Sequence, residues 1–141
     1  MASASIQPVR GSEIFRSSSA VWLDSIDYRT RELSIHLAGP DGAVAAIFVG
    51  VLGYRVVDER DLGFDLGTPS AGLWLFEVGA NGWLSRETGQ GGFISHLTFT
   101  EVIEYLVVTE SECVSVLVDH RELPVVSEVR SNTSLERTRE R

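Results

Sequence analysis

Leu33, Ile35 and Leu37 alternate with Ser34, His36 and Ala38, the period of a strand with one buried face. Upstream, Val21–Tyr28 carries Trp22, Ile26 and Tyr28 two or four residues apart, with Asp24 interrupting that face. The turn Gly39-Pro40-Asp41-Gly42 joins the Leu33 run to Ala43–Val57, which is apolar on both faces and is placed centrally. Gly50 and Gly53 read there as bulges or bends in one long curled strand.

After Val57 the pattern changes. Residues 58–67 are acidic and 67–72 have turn composition, with a short helical turn allowed over Glu59–Phe64. Leu73–Val78 and Trp83–Glu87, separated by Gly79-Ala80-Asn81-Gly82, read as a hairpin because Asn-Gly accepts the positive φ of tight turns. Phe93–Thr100 alternates as a strand, whereas Glu101–Thr109 admits a helical turn at its start and becomes β-branched from Tyr105. Thr109-Glu110-Ser111-Glu112 turns that run into Cys113–Val118, and the two are expected to pair antiparallel. Residues 1–20 form a loose lead-in with at most a turn of helix at Ser12–Arg16, and 127–141 a polar tail, disordered or helical. The fold class is mainly β (β-rich α+β): a single domain over 21–126, its antiparallel sheet either curled or a partly open barrel, with disordered N- and C-terminal tails.

The chain of 141 residues carries 20 acidic and 12 basic side chains, a net charge of −8. Between Asp58 and Glu112 stand Asp58, Glu59, Asp61, Asp65, Glu77, Glu87, Glu101, Glu104, Glu110 and Glu112 against only Arg60 and Arg86, an excess equal to the charge of the whole chain. A surface of one sign repels phosphate and anionic lipid and favours a basic partner. The four Arg of the tail (130, 137, 139 and 141) are too few for more than weak, salt-sensitive nucleic-acid binding. The longest apolar stretch, Ala43–Tyr54, is too short to span a bilayer, and the N-terminus lacks the pattern of a secretory signal. A cytoplasmic protein with neither membrane nor nucleic-acid partner is expected.

Candidate chemistry is sparse. His36, His96 and His120 stand apart from one another and from ligand spacing, so no metal site is expected. Asp119 and His120 are adjacent, which on a strand sends them to opposite faces. The sole cysteine, Cys113, lies among valines and reads as a buried thiol. Gly89-Gln90-Gly91-Gly92 lacks the Lys-Ser/Thr of a phosphate loop. Glu101 and Glu104 would share a helical face or take opposite faces of a strand, and both read as part of a solvated acidic surface. No catalytic residue and no cofactor is assigned. Trp74 reads as core. Trp83, after a tight turn and on a strand with Arg86, reads as an aromatic interface anchor.

Three stretches, YRVVDERDL (Tyr54–Leu62), LWLFEVGANGWL (Leu73–Leu84) and EYLVVTESECVSVL (Glu104–Leu117), resemble the small acidic bacterial immunity proteins of secreted polymorphic toxin systems. The resemblance implies a non-catalytic inhibitor that binds and occludes a cognate toxin or effector. Charge complementarity would speed the encounter and an apolar centre would hold it. The residues expected to bind the partner are Asp58, Glu59, Asp61, Asp65, Glu110 and Glu112, with Trp83 as anchor. The alternatives are a small-molecule-binding β-barrel domain, with a cavity lined from Val44–Tyr54 and Tyr105–Val118, and an adaptor subunit of a larger complex.

Overall fold

A computed structural model describes residues 5–9, 21–39, 42–58, 73–80, 82–89, 101–110 and 112–129. Nine strands and one short helix are found among them. In chain order these are β1 (Ile6–Pro8), β2 (Trp22–Arg29), β3 (Glu32–Gly39), β4 (Gly42–Val49), β5 (Val51–Asp58), β6 (Leu75–Val78), α1 (Trp83–Gly89), β7 (Ile103–Val108), β8 (Glu112–Val118) and β9 (Val125–Val129). They build two antiparallel sheets, one ordered β2-β3-β4-β9 and the other β1-β6-β7-β8-β5. The protein is thus mainly β, as its alternating pattern implies. Among the described residues the two sheets are not closed into a barrel.

The inner faces meet in one core. Leu33, Ile35 and Leu37 of β3 and Val44, Ala46 and Phe48 of β4 pack with Tyr105 and Val107 of β7 and Val114, Val116 and Val118 of β8. Each fully buried Leu or Ile contributes about 1.5–3 kcal/mol through removal of apolar area from water. Phe48 stacks on Tyr105 with ring centroids 5.6 Å apart, and Tyr28 on Tyr54 at 5.7 Å. β4 therefore lies over β7, and the edge strand β2 over the edge strand β5. Trp74 is buried, as its pattern implies.

Several elements depart from the sequence reading. The apolar run Ala43–Val57 is two strands in two sheets, hinged at Gly50, not one curled strand. Gly50 takes φ +68°, and a Cβ there would overlap Asp119 Oδ1 and come 2.9 Å from His120 Cδ2. The corner is fixed by Val51 N–H donating to Arg31 O (2.9 Å), Asp119 N–H to Gly50 O (3.1 Å), and an Arg31–Asp119 ion pair. Gly53 does mark a bulge, where the β5–β8 register shifts. Ile6–Pro8, inside the expected lead-in, pairs with β6, and Val9 is buried. Residues 127–129, expected in the polar tail, complete β9 against β4. The expected elements at 12–16, 59–64 and 93–100, with the loops at 67–72 and 90–92, lie outside the described residues.

The expected hairpin of Leu73–Val78 with Trp83–Glu87 does not form: β6 pairs with β7, and Trp83–Gly89 is helical. Its first helical hydrogen bond runs from Arg86 N–H to Gly82 O. Trp83 Nε1–H also donates to Glu87 Oε1 (3.1 Å), a pair one helical turn apart. What makes the helix rather than a strand stable at this place is a carboxylate from β7.

Candidate functional site

The strand register decides which acids converge. Asp58, the last residue of β5, is directly across from Glu112, the first of β8. Glu110 lies in the turn between β7 and β8, where Thr109 Oγ1 donates to Glu112 O and accepts from Glu112 N–H. Glu110 N–H in turn donates to Val21 O (2.7 Å), tying this turn to the start of β2. Three carboxylates of the expected set thus share one end of the two sheets. Like charges opposite each other across a strand pair oppose folding by up to about 1 kcal/mol. Glu59, Asp61 and Asp65 lie outside the described residues.

Trp83 lies on the other face of the sheet from those carboxylates. Alternation along β5 and β8 puts Asp58 and Glu112 on the inner-facing side of their sheet, with Val56 and Val114. Trp83 packs on the opposite, outer face with Val78, Leu106 and Cys113. The Arg55 guanidinium lies 4.9 Å from the centre of its ring. With one face under Arg55 and its indole nitrogen on Glu87, Trp83 holds α1 to the sheet.

The outermost tryptophan beside the acids is Trp22, next to the Val21 carbonyl that receives Glu110, and 45% exposed. The spacing of Trp22, Ile26 and Tyr28 predicts one shared face. A bulge between Leu23 and Ser25 breaks that alternation, so that Leu23, Ile26 and Tyr28 share the face of the core while Trp22 lies on the outer side. The signal is present in the sequence as Asp24 interrupting the apolar positions.

Glu104 is the largest departure from expectation. Rather than contributing to a solvated acidic face, it is 2% exposed on the outer face of β7, beneath α1. Its Oε2 accepts Trp83 N–H (3.1 Å) and its Oε1 accepts Leu84 N–H (2.9 Å). These are first-turn amides that a helix cannot satisfy internally. Gly82 starts the helix without a capping side chain, and Glu104 supplies the missing acceptor from another element. A Cβ at Gly82 would come 2.5 Å from Val78 Cγ1 and 2.8 Å from Glu104 Oε1, so the close packing under α1 favours glycine there. Burial raises the Glu104 carboxyl above its ordinary value, against the lowering effect of the two amides and of Arg55. Burial likewise lowers Arg55, and Glu104 opposes that shift.

Three other titratable groups, His120, Arg121 and Cys113, are held structurally. His120 Nδ1 accepts Glu122 N–H (3.0 Å), which assigns its proton to Nε2, and Nε2–H donates to Val49 O (2.8 Å). Arg121 bridges Glu101 and Glu77. Cys113 is fully buried, as its neighbours imply. A pocket of about 80 Å³ opens beside His120 and Glu122, walled by Val49, Leu123 and Val125. Among the described residues no group of three His, Cys, Asp or Glu side chains is arranged to hold a metal ion, and no helix is long and apolar enough to cross a membrane. Comparison of the chain with protein-family models, with curated proteins and with solved structures finds no match in any of the three.

Proposed function

We propose that this protein is a non-catalytic inhibitor that binds a basic protein partner, a toxin or effector of the kind neutralised by small acidic immunity proteins, and occludes it. The observation that carries the reading is Asp58 standing across from Glu112 with Glu110 in the adjoining turn. Such a grouping contributes long-range attraction for a positively charged surface. The net charge of −8 acts in the same direction, and Trp22, next in the chain to the Val21 carbonyl that accepts Glu110 N–H, is an exposed aromatic. In this reading Asp58, Glu110 and Glu112 steer the encounter, together with Glu59, Asp61 and Asp65, which follow Asp58 in the chain. Trp22 takes the anchoring part, and Trp83 supports the surface from behind.

The test is capture of the tagged protein from its native lysate at low and high salt, followed by assay of the captured partner's activity with and without the protein. A stoichiometric basic partner whose activity is blocked is the expected result. Replacing Asp58 and Glu112 together by Lys should slow association at least about tenfold at low salt and less at high salt. An association rate that ignores this double reversal would sink the proposal.

A further inference from the structure

The two sides of the sandwich are finished differently. On the side of β1 and β6, the inner-facing position Glu77 is met by Arg121, which also binds Glu101, and Glu128, the penultimate residue of β9, faces inward. Polar side chains close that flank. On the side of β2 and β5, the inner-facing positions are Ile26, Tyr28, Tyr54 and Val56. Tyr28 is 46% exposed, Tyr54 37% and Val56 39%. Core-facing positions are thus left open to water along the seam between the two edge strands. Among the described residues, the outer edge of β5 has no strand paired with it.

We propose that this seam takes an extended, basic segment of a partner protein as an added strand on β5, with the segment's alternate apolar side chains packed on Tyr28, Tyr54 and Val56. Addition of a strand to an open edge satisfies the backbone groups of both chains, and pockets for alternate side chains supply selectivity. β5 is the best suited of the four edges. β1 and β9 are short, at 3 and 5 residues, and β2 is interrupted by its bulge, whereas Tyr54–Asp58 pairs regularly with β8. Charge selects the occupant. The seam ends at Asp58 and Glu112, with Glu110 beside them. Among the described residues of β2, β5 and the turn after β2, Arg29 is engaged by Asp27, Arg31 by Asp119, and Arg55 lies over Trp83 on the far face. A second copy of this chain would bring a further −8 to the same place.

The proposal rests on the inhibitor reading only in taking the partner to be basic, and its test needs no cognate partner. Three capped peptides of 8 residues, the length of β5, serve as probes. One alternates Lys with Val, one alternates Glu with Val, and one is the Lys–Val peptide N-methylated at alternate residues so that it cannot pair as a strand. Binding to the full chain is followed by calorimetry and by backbone amide exchange. The Lys–Val peptide should bind at least about tenfold tighter than either of the others and slow exchange in β5. Tyr28→Ser with Tyr54→Ser should weaken it about tenfold; both side chains are partly exposed, and an unchanged thermal transition confirms that the variant is folded. Equal binding of the Glu–Val or N-methylated peptide, protection at β9 or β1 instead of β5, or self-association of the chain through this seam would each overturn the proposal. A seam that binds the peptide while no partner is inhibited defeats the inhibitor reading alone. An inhibited partner indifferent to the Tyr28/Tyr54 variant defeats this inference alone.

Discussion

Replacing Glu104 by Gln keeps the shape of the side chain and removes its charge, which makes it the sharpest probe of the outer sheet face. In the wild type, two carboxylate oxygens accept Trp83 N–H at 3.1 Å and Leu84 N–H at 2.9 Å. Gln offers one carbonyl oxygen for the two amides and turns its own NH₂ toward the other. One lost bond with donor facing donor costs about 1–3 kcal/mol. Removal of a buried charge returns part of that, because burial disfavours the ionised form. The expected net loss at neutral pH is about 1 kcal/mol, or about 3 °C in Tm for a chain of this size. The pH dependence tests the reasoning more severely. Burial outweighs the amides and Arg55, so the folded carboxyl lies above its ordinary value of 4.5. Between the two values the folded state binds more protons than the unfolded state, and Glu104's contribution to stability falls as pH rises. The advantage of wild type over Glu104→Gln should therefore be largest near pH 4 and shrink as pH rises through the raised value, then stay level. Urea denaturation of both proteins from about pH 4 to pH 8 measures this difference, in which the other carboxylates largely cancel. An advantage that grows with pH would show that the hydrogen bonds and Arg55 dominate burial, and would refute the primacy of desolvation at Glu104.

Three further outcomes follow from the geometry. Gly50→Ala should destabilise by about 2–3 kcal/mol, read by urea denaturation, because φ +68° is unfavourable for Ala and its Cβ would overlap Asp119. The two-residue turn between β2 and β3 holds Thr30 at φ 39° and Arg31 at φ 69°, a backbone suited to Asn or Gly, so Thr30→Asn should raise stability by about 0.5–1 kcal/mol in thermal unfolding. Burial, with the charge of Glu77, pushes the Tyr105 phenol up to about 12; its ultraviolet titration step should appear there and vanish in Tyr105→Phe, and the stability it contributes below pH 10 should be lost as pH rises toward 12.

The parts of the fold legible in the sequence are those with a one-sided hydrophobic period or with a polar break between apolar runs. β3 shows its period because Ser34 and His36 are only half-buried between buried Leu33, Ile35 and Leu37. The β7–β8 hairpin shows because a polar turn separates two β-branched runs. The division of Ala43–Val57 is hidden, since neither side of Gly50 has a polar gap and only the corner's contacts with Asp119 and Arg31 reveal it. At Trp83–Gly89 the Asn-Gly signal for a hairpin is outweighed by an acceptor 20 residues away in the chain, which no local window contains.

Glu104 shows why an acidic composition is a poor guide to an acidic surface. Its sequence neighbours Ile103 and Tyr105 face the core, and on a strand that places Glu104 outward, which reads as solvent until α1 is laid over it. The acids therefore divide by task. Glu104 attaches a helix, Glu77 and Glu101 close one flank through Arg121, and Asp119 fixes the Gly50 corner. Asp58, Glu110 and Glu112 stand at the end of the flank whose core positions are left open. Because that flank and the Glu104 cluster lie on opposite faces of the same sheet, changes at the two are expected to separate. Substitutions under α1 should move stability, and substitutions along Tyr28, Tyr54 and Asp58 should move partner binding, with little exchange between them.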